Sequence, residues 1–233
     1  MPPGCSRGAH STLVARMAPL FPRWTDSFFR AVLILVGLLV VVLPCLAMAL
    51  VRSPYITHQH EPLEQPIAFD HRHHVLDDGI DCRFCHGGAY RSSSAGVPAT
   101  AVCMGCHAQI WPDSPALAGV RDSWRTNTPI VWNRVTSLPD FVYFDHHAHV
   151  NRGVGCSECH GQVERMARVE KAMPMTMDWC LGCHRQPAMH LRPAERITDG
   201  SWHPSAESQR VLGAMLVATM HIDPPTTCSG CHR

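Results

Sequence analysis

A chain of 233 residues is long enough for one or two domains, yet only 7% of it is aromatic and 19 prolines and 16 glycines interrupt it. A polypeptide core of ordinary density is hard to build from such material. The formal charge is +1 and no cluster of Lys or Arg could track a phosphate backbone, so nucleic acid is excluded as a partner.

In chain order, residues 1–30 carry Arg7, Arg16, Arg23 and Arg30 against Asp26 and read as a cytoplasmic segment. Residues 31–51, AVLILVGLLVVVLPCLAMALV, are 21 residues without a charge, close to the ~20 that a helix needs to cross a bilayer. With the arginines before this span, its N-terminus is expected inside and everything after it outside. The competing reading is a cleaved signal peptide, because Ala47-Met48-Ala49 resembles a cleavage site. The apolar region of a signal is usually ~7–15 residues, shorter than this one, which favours an uncleaved anchor.

After a linker at 52–68 comes an internal duplication. Phe69 to His86 reads FDHRHHVLDDGIDCRFCH, and Phe144 to His160 reads FDHHAHVNRGVGCSECH. Both run Phe-Asp-His-x-x-His-Val, then a turn with Gly and an apolar residue, then Cys-x-x-Cys-His. Each copy continues to a second Cys-x-x-Cys-His, at 103–107 and 180–184, so the repeats cover 69–107 and 144–184. A fifth stands alone at 228–232. Between the copies, 108–139 holds Trp111, Trp124 and Trp132 among four prolines and reads as a packing loop. Residues 207–221 place Val211, Leu212, Met215, Leu216 and Thr219 on a helical stripe that is also expected to pack.

Cys-x-x-Cys alone suits a zinc knuckle or a redox dithiol, but neither needs the histidine that follows all five times. The full motif is the attachment signature of a c-type haem: two thiols add to the haem vinyl groups and the histidine is the proximal iron ligand. Five covalently bound haem c groups are therefore expected. The attaching residues are Cys82 and Cys85, Cys103 and Cys106, Cys156 and Cys159, Cys180 and Cys183, and Cys228 and Cys231. The proximal ligands are His86, His107, His160, His184 and His232. These motifs use ten of twelve cysteines, leaving Cys5 and Cys45. Covalent haem attachment in bacteria is ordinarily done after export, so 69–233 is expected to be a periplasmic pentahaem domain on the inner membrane.

The histidines in register between the copies are His71 with His146 and His74 with His149. Three-residue spacing puts two imidazoles on one helical turn, where they can point at two irons. These four are the expected distal ligands. His73 and His147 do not superpose. His58, His60, His190, His203 and His221 have no repeat behind them, with His221 the best reserve. For the fifth iron, Met173, Met175 and Met177 crowd the approach to Cys180, and Met177 is chosen because thioether opposite histidine is common in c-type cytochromes.

The expected fold is a multihaem cytochrome c: little regular secondary structure, short helices and loops around stacked haems, and one N-terminal transmembrane helix. An iron with two protein ligands has no open position for a small substrate. Electron transfer remains, and no catalytic residue is assigned.

The Phe-x-His-x-x-His repeats, the five motifs and the single N-terminal span resemble the membrane-anchored pentahaem cytochrome c subunit of alternative complex III. The frame of two histidines before a motif is also similar to the small multihaem cytochromes of the c3 and c7 class. The first resemblance implies iron-sulfur and polytopic quinol-oxidising partner subunits in the membrane, with a cytochrome c or terminal oxidase as acceptor. The alternative is a membrane-anchored multihaem quinol dehydrogenase feeding a periplasmic reductase.

Overall fold

The computed structural model describes residues 20–232. Cys5, Arg7 and Arg16 of the N-terminal segment lie outside the described residues. The chain divides into two compact units, Met1–Ala49 and Leu50–Arg233.

The first unit is dominated by α1, Trp24–Val51, 28 residues that run through Pro44. At ~1.5 Å per residue it is long enough to cross a bilayer, and by composition it is apolar enough. Asp26 in its first turn suits the positive end of the helix dipole and pairs with Arg30 at 3.0 Å. None of its residues is buried.

The second unit is built of short helices: α2 Pro54–Thr57, α3 Cys82–Cys85, α4 Thr100–His107, α5 Ala118–Thr126, α6 His146–Val150, α7 Cys156–His160, α8 Met177–Arg185, α9 Ala206–Met220 and α10 Cys228–Cys231. Short 3-10 turns and one π-helical turn, Arg72–Asp77, join them. Among the described residues there is no strand, only isolated bridges such as Val142 to His232 and Val154 to Leu191. Prolines and glycines, one about every seven residues, leave little room for longer elements.

Apolar burial is sparse. Among the described residues only Val120, Val150, Leu191 and Ile197 are buried apolar side chains, while Phe84, Trp111, Trp124, Val131 and Phe141 are exposed.

Two expectations change. The region 108–139 contains a real helix, α5, whose Val120 and Ser123 are buried three residues apart. Trp132 packs edge-on against Phe69 at 6.4 Å, whereas Trp111 and Trp124 stay exposed. On α9 the packed face is Gln209 and Gly213, not Val211 and Met215, which are 65% and 52% exposed. The cause is a close approach: Gly213 lies against the Ala188 carbonyl, where no side chain fits. Gln209 Nε2 donates to the carbonyls of Ala188 and Leu191 at 2.9 and 2.7 Å. Backbone contact, rather than apolar area, sets the rotation of this helix.

Candidate haem-ligand site

The two copies of the frame fold alike at the atoms that matter. In each, the aspartate side chain accepts from the backbone two residues on, at the start of the histidine-bearing turn: Asp70 Oδ1 from the Arg72 N–H at 2.9 Å and Asp145 Oδ1 from the His147 N–H at 3.0 Å. In each, the carbonyl of that aspartate accepts a hydrogen bond from Nδ1 of the second histidine, His74 at 3.0 Å and His149 at 2.8 Å. The phenylalanine lies between the two imidazoles. Phe69 meets His71 edge-on at 4.8 Å and stacks on His74 at 4.3 Å; Phe144 meets His146 edge-on at 4.8 Å and stacks on His149 at 4.6 Å.

The copies differ by one residue of length, and the structure absorbs it locally. The first copy turns as a π-helix at Arg72–Asp77 and the second as the ordinary α6. The closing bond is the same in both, from Ile80 N–H to His74 carbonyl at 2.9 Å and from Val154 N–H to His149 carbonyl at 3.1 Å. Both turns end on a glycine in the left-handed region, Gly79 at φ 68° and Gly153 at φ 89°.

The structure brings the frame histidines to the motif histidines. His74 faces His107 with ring centroids 6.1 Å apart, His149 faces His184 at 6.0 Å, and His146 faces His160 at 6.3 Å with ring planes 3° apart. His71 lies within electrostatic range of His86. The first histidine of a frame thus goes with the first motif of its copy, the second with the second. A metal–imidazole bond of about 2.0–2.1 Å on each side, plus the depth of two rings, separates centroids by about 6 Å. The residues present fit an iron between each facing pair.

Protonation points the same way. A carbonyl oxygen only accepts, so an imidazole bonded to one through Nδ1 carries its proton there and keeps the Nε2 lone pair free. Besides His74 and His149, this holds for His86 to Gly96 at 2.7 Å, His107 to Ile110 at 3.1 Å, His184 to Pro225 at 2.7 Å and His146 to Ser93 at 2.8 Å. His71 lacks this bond, its buried Nδ1 having no partner, and among the described residues none joins His160 or His232 to a carbonyl. Burial, reinforced by neighbouring histidines, holds His71 and His160 down to about 4, and burial also lowers His149. These rings are neutral at neutral pH, the form that binds a metal.

None of the ten motif cysteines is in a disulfide. Burial pushes Cys183 up to about 11 and Cys159 up to about 12, and raises Cys85, Cys103 and Cys180. Glu158, inside the third motif, bonds to the buried Arg192 at 2.6 Å and to His190 at 3.1 Å. Burial would raise its carboxyl, but His190 and Arg192 outweigh that and hold it below the ordinary range.

The fifth motif is framed differently. His232 bridges Val142 and its ring tilts over Phe141 at 5.7 Å. Among the described residues no ring contact joins His232 to another histidine. Met177 opens α8 and is 66% exposed. The histidines outside the frames have polar partners of their own: His58 with Glu61, His60 with Glu170, His73 with Asp77, His147 with Asp145, and His203 with Gln162. His221 caps α9 at φ 49°. The supporting roles of Phe69, Phe144, Asp70 and Asp145 were not read from the sequence, although the repeat keeps all four in register.

Residues 148–233 match the cytochrome c3 family. The chain is also 38% identical over 103 residues to the "Menaquinone reductase, multiheme cytochrome c subunit" of Nitratidesulfovibrio vulgaris strain Hildenborough. That match covers 44% of this chain and 48% of the relative, so the chain spans about half the length of the curated protein it matches. The facing neutral imidazoles set by short helices thus accompany a C-terminal segment, residues 148–233, that is similar to the cytochrome c3 family.

Proposed function

We propose that this chain is the pentahaem electron-transfer subunit of a membrane quinone oxidoreductase of the alternative complex III kind. Electrons would come from quinol through an iron-sulfur subunit and leave to a periplasmic cytochrome or a terminal oxidase. The observation that carries this reading is the set of facing imidazole pairs at 6.0–6.3 Å. Haem c, when bound, supplies one-electron iron chemistry.

The chain's own residues do the rest. The five cysteine pairs named above would attach the haems, with His86, His107, His160, His184 and His232 as proximal ligands. His71, His74, His146 and His149 would close the irons of the first, second, third and fourth motifs in the order 71 to 86, 74 to 107, 146 to 160 and 149 to 184. Met177 would close the fifth. It sits one helical turn before Cys180, whose thiol lies within electrostatic range of Cys231. Two protein ligands on every iron leave no substrate position, so the chain would relay electrons and leave quinone chemistry to its partners. In this reading α1 anchors the protein in the inner membrane, N-terminus in the cytoplasm and haem domain in the periplasm.

A second reading reverses the current, from a periplasmic donor to menaquinone, and is favoured by the relative's name. Both directions need partner subunits. The test is quinol-driven haem reduction by the purified complex and by the isolated chain. Reduction only in the complex supports a relay subunit; rapid reduction of the isolated chain by quinol favours a self-sufficient membrane-anchored quinol dehydrogenase instead. In the complex, net electron flow from reduced periplasmic cytochrome to menaquinone would establish the reversed direction.

A further inference from the structure

Along the chain the motifs run first to fifth, and the second is followed by the third. In space the first and third are the ones that touch. The Cys82 and Cys156 thiols, each the opening residue of its motif, lie within electrostatic range of one another. The residues beside them are tied to one short segment: Thr198 Oγ1 donates to Asp81 Oδ2 at 2.9 Å, and the Cys156 N–H donates to the Ile197 carbonyl at 3.0 Å. On the other side of the junction, α6 leans on the loop that follows the first motif. The N–H groups of His146 and His147 donate to the carbonyls of Ser93 and Ser92 at 3.2 Å each, and Asn151 Nδ2 donates to the Tyr90 carbonyl at 3.2 Å.

The remaining neighbours follow from bonds already described. First and second motifs are joined through His71 and His74 on one turn, His74 reaching His107. Third and fourth are joined in the same way through His146 and His149 on α6. The fourth meets the fifth where His184 Nδ1 donates to the Pro225 carbonyl, three residues before Cys228. The second motif turns away toward α5, with Thr100 Oγ1 and Ser123 Oγ 2.6 Å apart. Electrostatic proximity of thiols follows the same line, Cys85 with Cys103, Cys159 with Cys183, and Cys180 with Cys231.

We infer that the two copies of the frame meet back to back at Cys82 and Cys156, so that the five haem sites run in the spatial order second, first, third, fourth, fifth. The ends of the string are then the second and fifth motifs, and the duplication forms one continuous array across its own junction. This ordering rests on the five-haem reading proposed above.

The test is proton NMR of the fully reduced holoprotein, in which low-spin Fe(II) is diamagnetic. Each haem of the two copies is marked in turn by the substitutions H71M, H74M, H146M and H149M, which move the methyl resonances of that haem. Through-space cross-peaks between the haems marked by H71M and H146M are expected. Cross-peaks between those marked by H74M and H146M, with none between H71M and H146M, would establish the order of the chain and overturn the inference. T198V supplies a second measurement that leaves every ligand in place. It is expected to move methyl resonances of two haems that share a cross-peak, and movement of a single haem alone would overturn the junction. Haem stoichiometry on the same sample keeps the two ideas apart: a ratio other than five defeats the haem reading, whereas five haems with another contact map defeat only the order.

Discussion

The His146 ring lies parallel to the His160 ring, 3° between planes, whereas His74 and His107 are turned 68° to one another. The angle between two axial imidazoles decides how far the iron dπ orbitals split, since parallel rings remove their near-degeneracy and crossed rings preserve it. The third haem should therefore give a rhombic low-spin electron paramagnetic resonance signal and the second a strongly anisotropic one. H146M should remove one rhombic component and spare the anisotropic one. Loss of both together would show that the ring angles are not those described here.

His71 and His146 occupy equivalent places, but His146 Nδ1 donates to the Ser93 carbonyl at 2.8 Å and the buried His71 Nδ1 has no partner. A hydrogen bond from the far nitrogen raises the basicity of a ligating imidazole and stabilises the oxidised metal. The first haem, where only His86 is bonded in this way, should then titrate at a higher reduction potential than the second, where His74 and His107 both are. Potentiometry of the holoprotein, with assignments from H71M and H74M, checks the sign; a lower potential at the first haem than at the second would count against it.

Gly79 and Gly153 close the two frames in the left-handed region, yet their surroundings differ. A Cβ at Gly79 meets nothing within 4 Å, while one at Gly153 would stand 2.9 Å from the Arg192 carbonyl. G79A should cost about 1 kcal/mol, the strain of the backbone alone. G153A adds overpacking and should cost about 2–4 kcal/mol. Urea unfolding of the haem-loaded variants measures both, and equal costs would contradict the difference in packing.

Met177 is the proposed sixth ligand of the fifth iron. M177H should abolish a methionine-to-iron charge-transfer band in the near infrared and lower one reduction potential, leaving the other four haems unchanged. A band that survives would move the ligand elsewhere, with Met175 next along the same approach.

The haem motifs and the duplicated frame were legible because their chemistry lies in spacing: thiol, thiol, imidazole, and two histidines three residues apart. The partner of each histidine was not legible, because two imidazoles on one turn can be assigned to two irons in either order. That assignment depends on chain path, which the Asp70 and Asp145 carbonyls and the Ser93 loop fix. The α9 face was misread for a similar reason. An apolar stripe suggested Val211 and Met215, but the contact of Gly213 with the Ala188 carbonyl turned the helix. The prolines around α5 signal loop, and its buried face is only Val120 and Ser123, too short to show as a helical pattern. The likeness to cytochrome c3 was legible from the frame, and the family match at 148–233 agrees with it.

In the proposed function each chain holds five low-spin haems whose irons are closed by protein on both sides. Near-infrared magnetic circular dichroism of the purified holoprotein, normalised to haem content by pyridine haemochrome, tests it most directly. Five haems per chain are expected, four with bis-histidine bands and one with a histidine–methionine band. High-spin iron, or a haem content well below five, would contradict it.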